Sequence, residues 1–317
     1  MSHILSIKIG NLNLKSPLIT SSGTSGSSFE MCFLEDNKDL FSSLGAFVTK
    51  GVTLKPAKGN PPPRIVEVSG GIINSIGLQN KGVDAFLKKD LRNLFRMQLP
   101  IIVNISAGTI EEFGALAERL LEHNNGNING LEINVSCPNI RKGGVSFGVD
   151  PEQVEKVVAE VRKRVGSKVL LITKLSPNVT DITLPAKAAI NGGTDSISMI
   201  NTIRGMVIDI DRKEAFLGNK FGGLSGPCIK PVGVYMVYEC FRKISECTTK
   251  RIPIIGIGGI TNYRDVLEYI MAGASAVGIG TQWFINNNIF KEIYIDLDKY
   301  CKSKNYILSN LIGVAHN

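Results

Sequence analysis

Short β-branched apolar runs recur along the whole chain, each closed by a polar residue or a glycine and followed by a stretch with helical patterning. The runs fall at 17–20, 46–50, 101–104, 131–134, 169–174, 196–201, 253–257 and 276–280. Strands this rich in Val and Ile, alternating with helices, imply a parallel sheet covered on both faces. About eight such units within 317 residues suit closure into a barrel better than a doubly wound open sheet. The expectation is an α/β protein, a single (β/α)8 TIM barrel, with 1–317 as one domain and no linker.

The connecting helices follow from their own patterns. In EEFGALAERLLE, Phe113, Leu116, Ala117, Leu120 and Leu121 form one apolar stripe fit to pack on a sheet. The next helix opens on Asp150-Pro151-Glu152-Gln153, an N-cap acceptor, a first-turn proline and a Gln able to complete a capping box. Val154, Val157, Val158 and Val161 give its buried face, and Gly166 its stop. A third runs from about Thr261 to Ala272 with Val266, Leu267, Ile270 and Met271 on one side and Gly273 beyond it. Two segments break the repeat. Residues 55–80 read as an inserted hairpin turning at Gly70-Gly71, and 205–232 as a long Gly-rich loop, both over the C-terminal face of the strands.

Composition removes several function classes. No apolar stretch approaches the roughly 18 residues that cross a bilayer, and the N-terminus lacks the marks of a signal peptide, so a cytoplasmic address is expected. The six cysteines, at 32, 137, 228, 240, 247 and 301, form no C-x-x-C pair and no His/Cys cluster, so neither disulfide framework nor metal site is signalled. A formal charge of +8 raises nucleic acid as a partner, but the 36 basic residues are interleaved with 28 acidic ones without an aromatic-basic tract. A solvated basic surface follows, compatible with anionic small ligands.

Active sites of such barrels lie where the strands end at their carboxyl side. Lys50, Asn104, Asn134, Lys174 and Asn201 close five of the runs, and any one could be a solvated loop residue; together they point to a site. The paired glycine motifs IPIIGIGGI and AGASAVGIGT put Gly258-Gly259 and Gly280-Thr281 after the last two strands, the usual phosphate position of barrels. A lysine in a partly desolvated cleft must face negative charge or lose its proton. Schiff-base chemistry and stabilisation of an anionic cofactor such as a reduced flavin both remain open. His3, His123 and His316 lie away from strand ends, which leaves Cys137, in NVSCPN, as a candidate base. Read alone, a cysteine is more often a small buried hydrophobe. Pro138 keeps its loop out of helix, and Asn134 and Asn139 flank it with groups that can hold a planar polar substrate.

These segments, SPLITSSGT, FVTKGVT, NSIGLQNKGVD, NVSCPN, LITKLSPNVTDI, MINTIRGM, GGLSGPCIKPV, IPIIGIGGI, AGASAVGIGT and IGVAH, resemble the dihydroorotate dehydrogenases essentially end to end. The resemblance implies an FMN-dependent barrel that oxidises dihydroorotate to orotate in pyrimidine synthesis. A cysteine in the SCPN loop is similar to class 1; class 2 enzymes carry serine there and an N-terminal extension that this chain lacks. KGGVSFGVDPE and GGLSGPCIKPVGVYMVYE resemble the class 1B branch. That branch implies a partner subunit with FAD and a 2Fe-2S cluster, two catalytic and two electron-transfer subunits forming a heterotetramer, and NAD as acceptor.

Carried onto this sequence, the resemblance makes Cys137 the base for the C5 proton and places Lys50 against both flavin and substrate. It implies FMN contacts from Ser22, Lys50, Gly51, Asn104, Asn134, Lys174, Ile200, Gly226, Gly258, Gly259, Gly280 and Thr281. Orotate would be held by Asn74, Ser75, Ile76, Gly77, Leu78, Asn134, Asn139, Asn201 and Thr202, together with Lys50, and no metal is expected. Ser75, Val145, Ser146, Val149 and Cys228 depart from the family pattern without removing a matched polar group. A fumarate-dependent class 1A enzyme, a flavin barrel acting on uracil-type pyrimidines, a non-redox phosphate-binding barrel using Lys174 and an RNA-binding barrel are the alternatives.

Overall fold

The computed structural model describes residues 3–27, 38–122, 124, 126–136, 138–139, 145–247 and 251–317. Eight parallel strands form its centre: β1 (Leu18–Thr20), β2 (Phe47–Val48), β3 (Ile101–Ile105), β4 (Gly130–Asn134), β5 (Leu170–Lys174), β6 (Ser196–Met199), β7 (Ile254–Ile257) and β8 (Ala276–Ile279). They are hydrogen-bonded in the order β1-β8-β7-β6-β5-β4-β3-β2, and a parallel bridge between Ile19 and Ala46 brings the two ends together. The result is a (β/α)8 barrel whose strands coincide with the apolar runs of the sequence. Burial explains the coincidence: all five residues of β3 and of β5 are shielded, from helices outside and from opposing strands inside.

Each strand is followed by helix: α1 (Lys38–Ser43), helical turns over 83–97, α2 (Ile110–Glu122), α3 (Pro151–Val165), α4 (Thr183–Asn191), α5 (Lys230–Cys247), α6 (Tyr263–Met271), and after β8 the short Thr281–Ile285 and α7 (Ile289–Lys304). The predicted stripe of α2 is buried at Phe113, Leu116, Ala117 and Leu120, while Leu121 sits half-buried at its edge. Phe113 meets Phe147 edge-on at 5.8 Å, which ties the segment after residue 145 to the barrel wall. Asp150 caps α3 by accepting from the Glu152 and Gln153 amides, and Gly166 ends it at φ 58°. For α6 the cap is Asn262, in a reciprocal box with Asp265, one residue later than the sequence pattern marks.

Tyr269 of α6 connects this outer layer to the strand ends. It is fully buried, and its hydroxyl donates to the Gly258 carbonyl at 2.8 Å. Burial pushes the phenol well above its usual range, so it stays a donor. Tyr269→Phe removes that donor and leaves a shielded carbonyl unpaired. Chemical denaturation should show a loss of about 1–3 kcal/mol; an unchanged midpoint and slope would mean that Gly258 is satisfied some other way.

The segment 205–232 is not the plain loop expected from its glycines. Ile203–Gly205 and Gly222–Ser225 are strands that pair with the expected hairpin, Ile65–Val68 and Gly71–Asn74, into a four-stranded antiparallel sheet, and α5 already begins at Lys230. A smaller ladder joins Ile208–Asp209 to Glu214–Ala215. Glycine has low strand propensity, which hides these short strands from a pattern reading. Their glycines serve packing: a Cβ on Gly223 would overlap the Thr202 side chain, and one on Gly222 the Asn74 carbonyl. The added sheet sits over the carboxyl ends of the strands. At the other end, the hairpin of Ile7–Ile9 and Leu12–Leu14 turns at Gly10, against Leu170 at the start of β5.

Candidate active site

Between the barrel rim and the four-stranded sheet lies a cavity of about 650 Å³. Of the residues predicted for the site, Ser22, Lys50, Gly51, Asn74 to Leu78, Asn104, Asn134, Lys174, Ile200, Asn201, Thr202, Gly226, Gly258, Gly259, Gly280 and Thr281 all line it. They come from all eight strand ends, from the inserted hairpin and, for Gly226, from the turn after Gly222–Ser225, so the topology alone gathers them. Cys137 and the Asn139 side chain lie outside the described residues. Ser136, next to Cys137, lines the cavity.

The floor is a buried polar network of which a reading of strand ends finds Asn104 and Lys174 but misses Glu132 and Ser198. Asn104 of β3 donates through Nδ2 to Glu132 Oε1 of β4 at 2.7 Å, and Ser198 of β6 donates to Glu132 Oε2 at 2.8 Å. Lys174 Nζ, at the end of β5, stands 3.8 Å from Glu132 Oε1 and donates to Ser22 Oγ at 3.2 Å. Glu132 is 1% exposed and Lys174 5%. A charged residue inside the apolar run Leu131-Glu132-Ile133, two positions before Asn134, carries a usable signal. Period two puts it on the face of Asn134, pointing into the barrel.

Above the floor the amides are locked together. Asn201 Nδ2 donates to Ser136 Oγ at 2.9 Å and to Asn134 Oδ1 at 3.3 Å, and Asn134 Nδ2 donates to Ser106 Oγ at 3.3 Å. On the hairpin side, Asn60 Nδ2 donates to Ser75 Oγ at 2.9 Å, which gives a role to the serine read as a departure. Gly77 has φ 73°, and a Cβ there would stand 2.5 Å from the Asn60 amide nitrogen, so only glycine fits. Cys228, another departure, packs on the Gly70-Gly71 turn and donates its backbone N–H to Gly70.

The glycine end is built for close approach. Gly258 and Gly259 have φ 134° and 66°, and a Cβ on Gly259 would come within 2.9 Å of the Gly226 carbonyl. Thr281 donates to Ser225 Oγ at 2.9 Å across the same corner. Behind it, Lys230 Nζ bonds Asp265 at 2.7 Å and Glu268 at 2.8 Å. Those bonds hold the Lys230 ammonium above its usual range. Burial works to raise the Asp265 carboxyl, but hydrogen bonds from Lys230 and Thr261 outweigh it and the net shift is downward. Lys230 is thereby committed to carboxylates, leaving backbone amides to face an anion.

These features fit FMN. Asn104 Oδ1 and Ser21 Oγ are buried without a partner among the described residues, and a ring system bearing N–H and C=O groups supplies what they lack. The bare glycines can hold a phosphate, and Lys174 and Lys50 can face negative charge. Among the described residues no group of His, Cys, Asp or Glu could hold a metal ion, and no helix is long and apolar enough to cross a membrane.

The family model described as dihydroorotate dehydrogenase matches residues 4–300, a span that includes all eight barrel strands. The chain belongs to the dihydroorotate dehydrogenase family. Relatives of that family named dihydroorotate dehydrogenase B (NAD(+)), catalytic subunit, are similar along nearly the whole chain. The one from Thermoanaerobacter sp. (strain X514) is 46% identical over 93% of both chains. That from Geobacter sp. (strain M21) is 43% identical over 98% of this chain and 97% of its own. That from Carboxydothermus hydrogenoformans is 45% identical over 98% and 97%. The dihydroorotate dehydrogenase resemblance read from the motifs thus holds for the chain as a whole.

Proposed function

We propose that this chain, as one FMN-binding domain over 1–317, is the catalytic subunit of an NAD-linked dihydroorotate dehydrogenase of pyrimidine biosynthesis. The observation that carries the reading is the cavity floor, where Lys174 and Asn104, its Oδ1 without a partner among the described residues, stand against Glu132 behind them in a family member matched over residues 4–300. Oxidation of (S)-dihydroorotate to orotate removes the C5 hydrogen as a proton and the C6 hydrogen with its electron pair. Cys137, as thiolate, takes the C5 proton and passes it to solvent. Lys50 faces substrate and cofactor, and Asn134, Asn139, Asn201 and Thr202 with the Asn74 to Leu78 turn hold the planar pyrimidine and its carboxylate. Ser22, Lys174, Asn104, Gly51, Ile200 and the glycine corner from Gly226 to Thr281 hold FMN. FMN, when bound, supplies acceptance of the C6 hydride. Electrons leave to a partner subunit with FAD and a 2Fe-2S cluster, in a heterotetramer with two copies of each chain, and then to NAD. The relatives' designation as catalytic subunits supports such a partner.

A visible spectrum and acceptor assay of the natively purified protein test this reading. Bound FMN, co-purifying FAD and iron-sulfur, and NAD reduction by dihydroorotate are expected. A yellow homodimer that reduces fumarate efficiently without an iron-sulfur partner would overturn the electron route. Turnover of dihydrouracil but not dihydroorotate would overturn the substrate, and a colourless protein the whole proposal.

A further inference from the structure

Glu132 does not line the cavity, yet it determines what the cavity floor presents. Its two oxygens are divided between Asn104 Nδ2 on one side and the Ser198 hydroxyl on the other, with Lys174 Nζ beside the first. An amide held by its nitrogen has one orientation, because a flip would set Oδ1 against the carboxylate, acceptor against acceptor. Asn104 Oδ1 is therefore turned away from Glu132, buried and without a partner among the described residues. The group that completes it must be a hydrogen-bond donor, and a ring N–H of a bound flavin is one. The same carboxylate also opposes the charge of Lys174 inside a barrel where low polarity lengthens the reach of both.

We propose that Glu132 is a positioning residue with two effects. Through Asn104 it fixes an acceptor for a ring N–H of FMN, and beside Lys174 it holds down the reduction potential of the bound flavin. This inference rests on the reading of the cavity as an FMN site. Nearby charge is one of the levers by which a protein tunes a flavin, since added electrons are favoured by cations and opposed by anions.

Glu132→Gln, made in the complete complex, separates charge from shape. The Gln carbonyl can still accept from Asn104 and its amide can donate to the Ser198 hydroxyl, so only the charge is lost. FMN content should match wild type, while the reduction equilibrium shifts about tenfold toward the reduced form, a midpoint potential higher by ~30 mV for two electrons. Glu132→Leu should release the Asn104 amide and raise the FMN Kd tenfold or more, with Glu132→Gln restoring it. A flavin-loaded Glu132→Gln of unchanged potential would overturn the charge effect, and a wild-type FMN Kd in Glu132→Leu the orienting effect. Should Glu132→Gln not fold, Ser198→Ala replaces it. Loss of that donor leaves the carboxylate less neutralised, so the equilibrium should move about threefold the opposite way, and no movement would overturn the proposal. A wild-type protein without flavin is a separate result, visible before any variant is made, and it removes the FMN reading itself.

Discussion

Cys137→Ala should abolish turnover of dihydroorotate while leaving FMN bound. Loss of a positioned base removes about 10²–10⁴-fold in rate, whereas the groups proposed to hold the flavin, Lys174, Asn104 and the glycine corner, are untouched. Cys137 follows β4 by three residues, and its neighbour Ser136 lines the cavity, hydrogen-bonded by Asn201. Cys137→Ser sharpens the test. A free thiol titrates near about 8.5, and a hydroxyl is much the weaker acid. The deprotonated form of the serine is therefore scarce at neutral pH and grows as pH rises, so residual activity should climb toward alkaline pH. Near-normal turnover in Cys137→Ala, or a Cys137→Ser profile parallel to wild type, would take the base role away from this residue. Flavin absorbance of each variant separates lost chemistry from lost cofactor.

How far the sequence reaches depends on whether a feature is local. β-branched runs with polar ends are local, so all eight strands were legible, as were the stripes of α2 and α3 and the Gly258-Gly259 corner. Strand-end position then follows from barrel topology, which is why Lys50, Asn134 and Lys174 share one cavity, as their places in the sequence imply. The four-stranded sheet was only half legible. Its hairpin announces itself through alternation around Gly70-Gly71, but Gly222–Ser225 becomes a strand only because Ile72, Ile73 and Asn74 offer it a ladder 149 residues away in sequence for Asn74 and Gly223. Asn60 was missed for a similar reason: its bonds to Ser75 depend on how the hairpin folds back. Glu132 escapes a reading of strand ends because it does not end its strand: it lies on the inward face two residues below Asn134.

Replacing Lys174 should do more damage than losing a cofactor contact. Lys174 and Glu132 are 5% and 1% exposed, so Lys174→Met leaves a shielded carboxylate opposed only by hydrogen bonds from Asn104 and Ser198. Removing one member of a buried pair destabilises by about 3–5 kcal/mol, most of it the penalty on the charge left behind. Lys174→Met should therefore unfold at much lower denaturant and also lose FMN and turnover. The double variant Lys174→Met with Glu132→Gln removes both charges and should regain most of the stability, because neutral groups can share the same hydrogen bonds. It should not regain turnover, since the cation proposed to face the cofactor is still gone. Each protein is compared with and without excess FMN, so that stabilisation by bound ligand is separated from the pair itself. A stable Lys174→Met, or independent effects of the two substitutions, would show the 3.8 Å pair to be uncoupled. Coupled stability with uncoupled activity is the outcome that assigns Glu132 to support and Lys174 to contact with the cofactor.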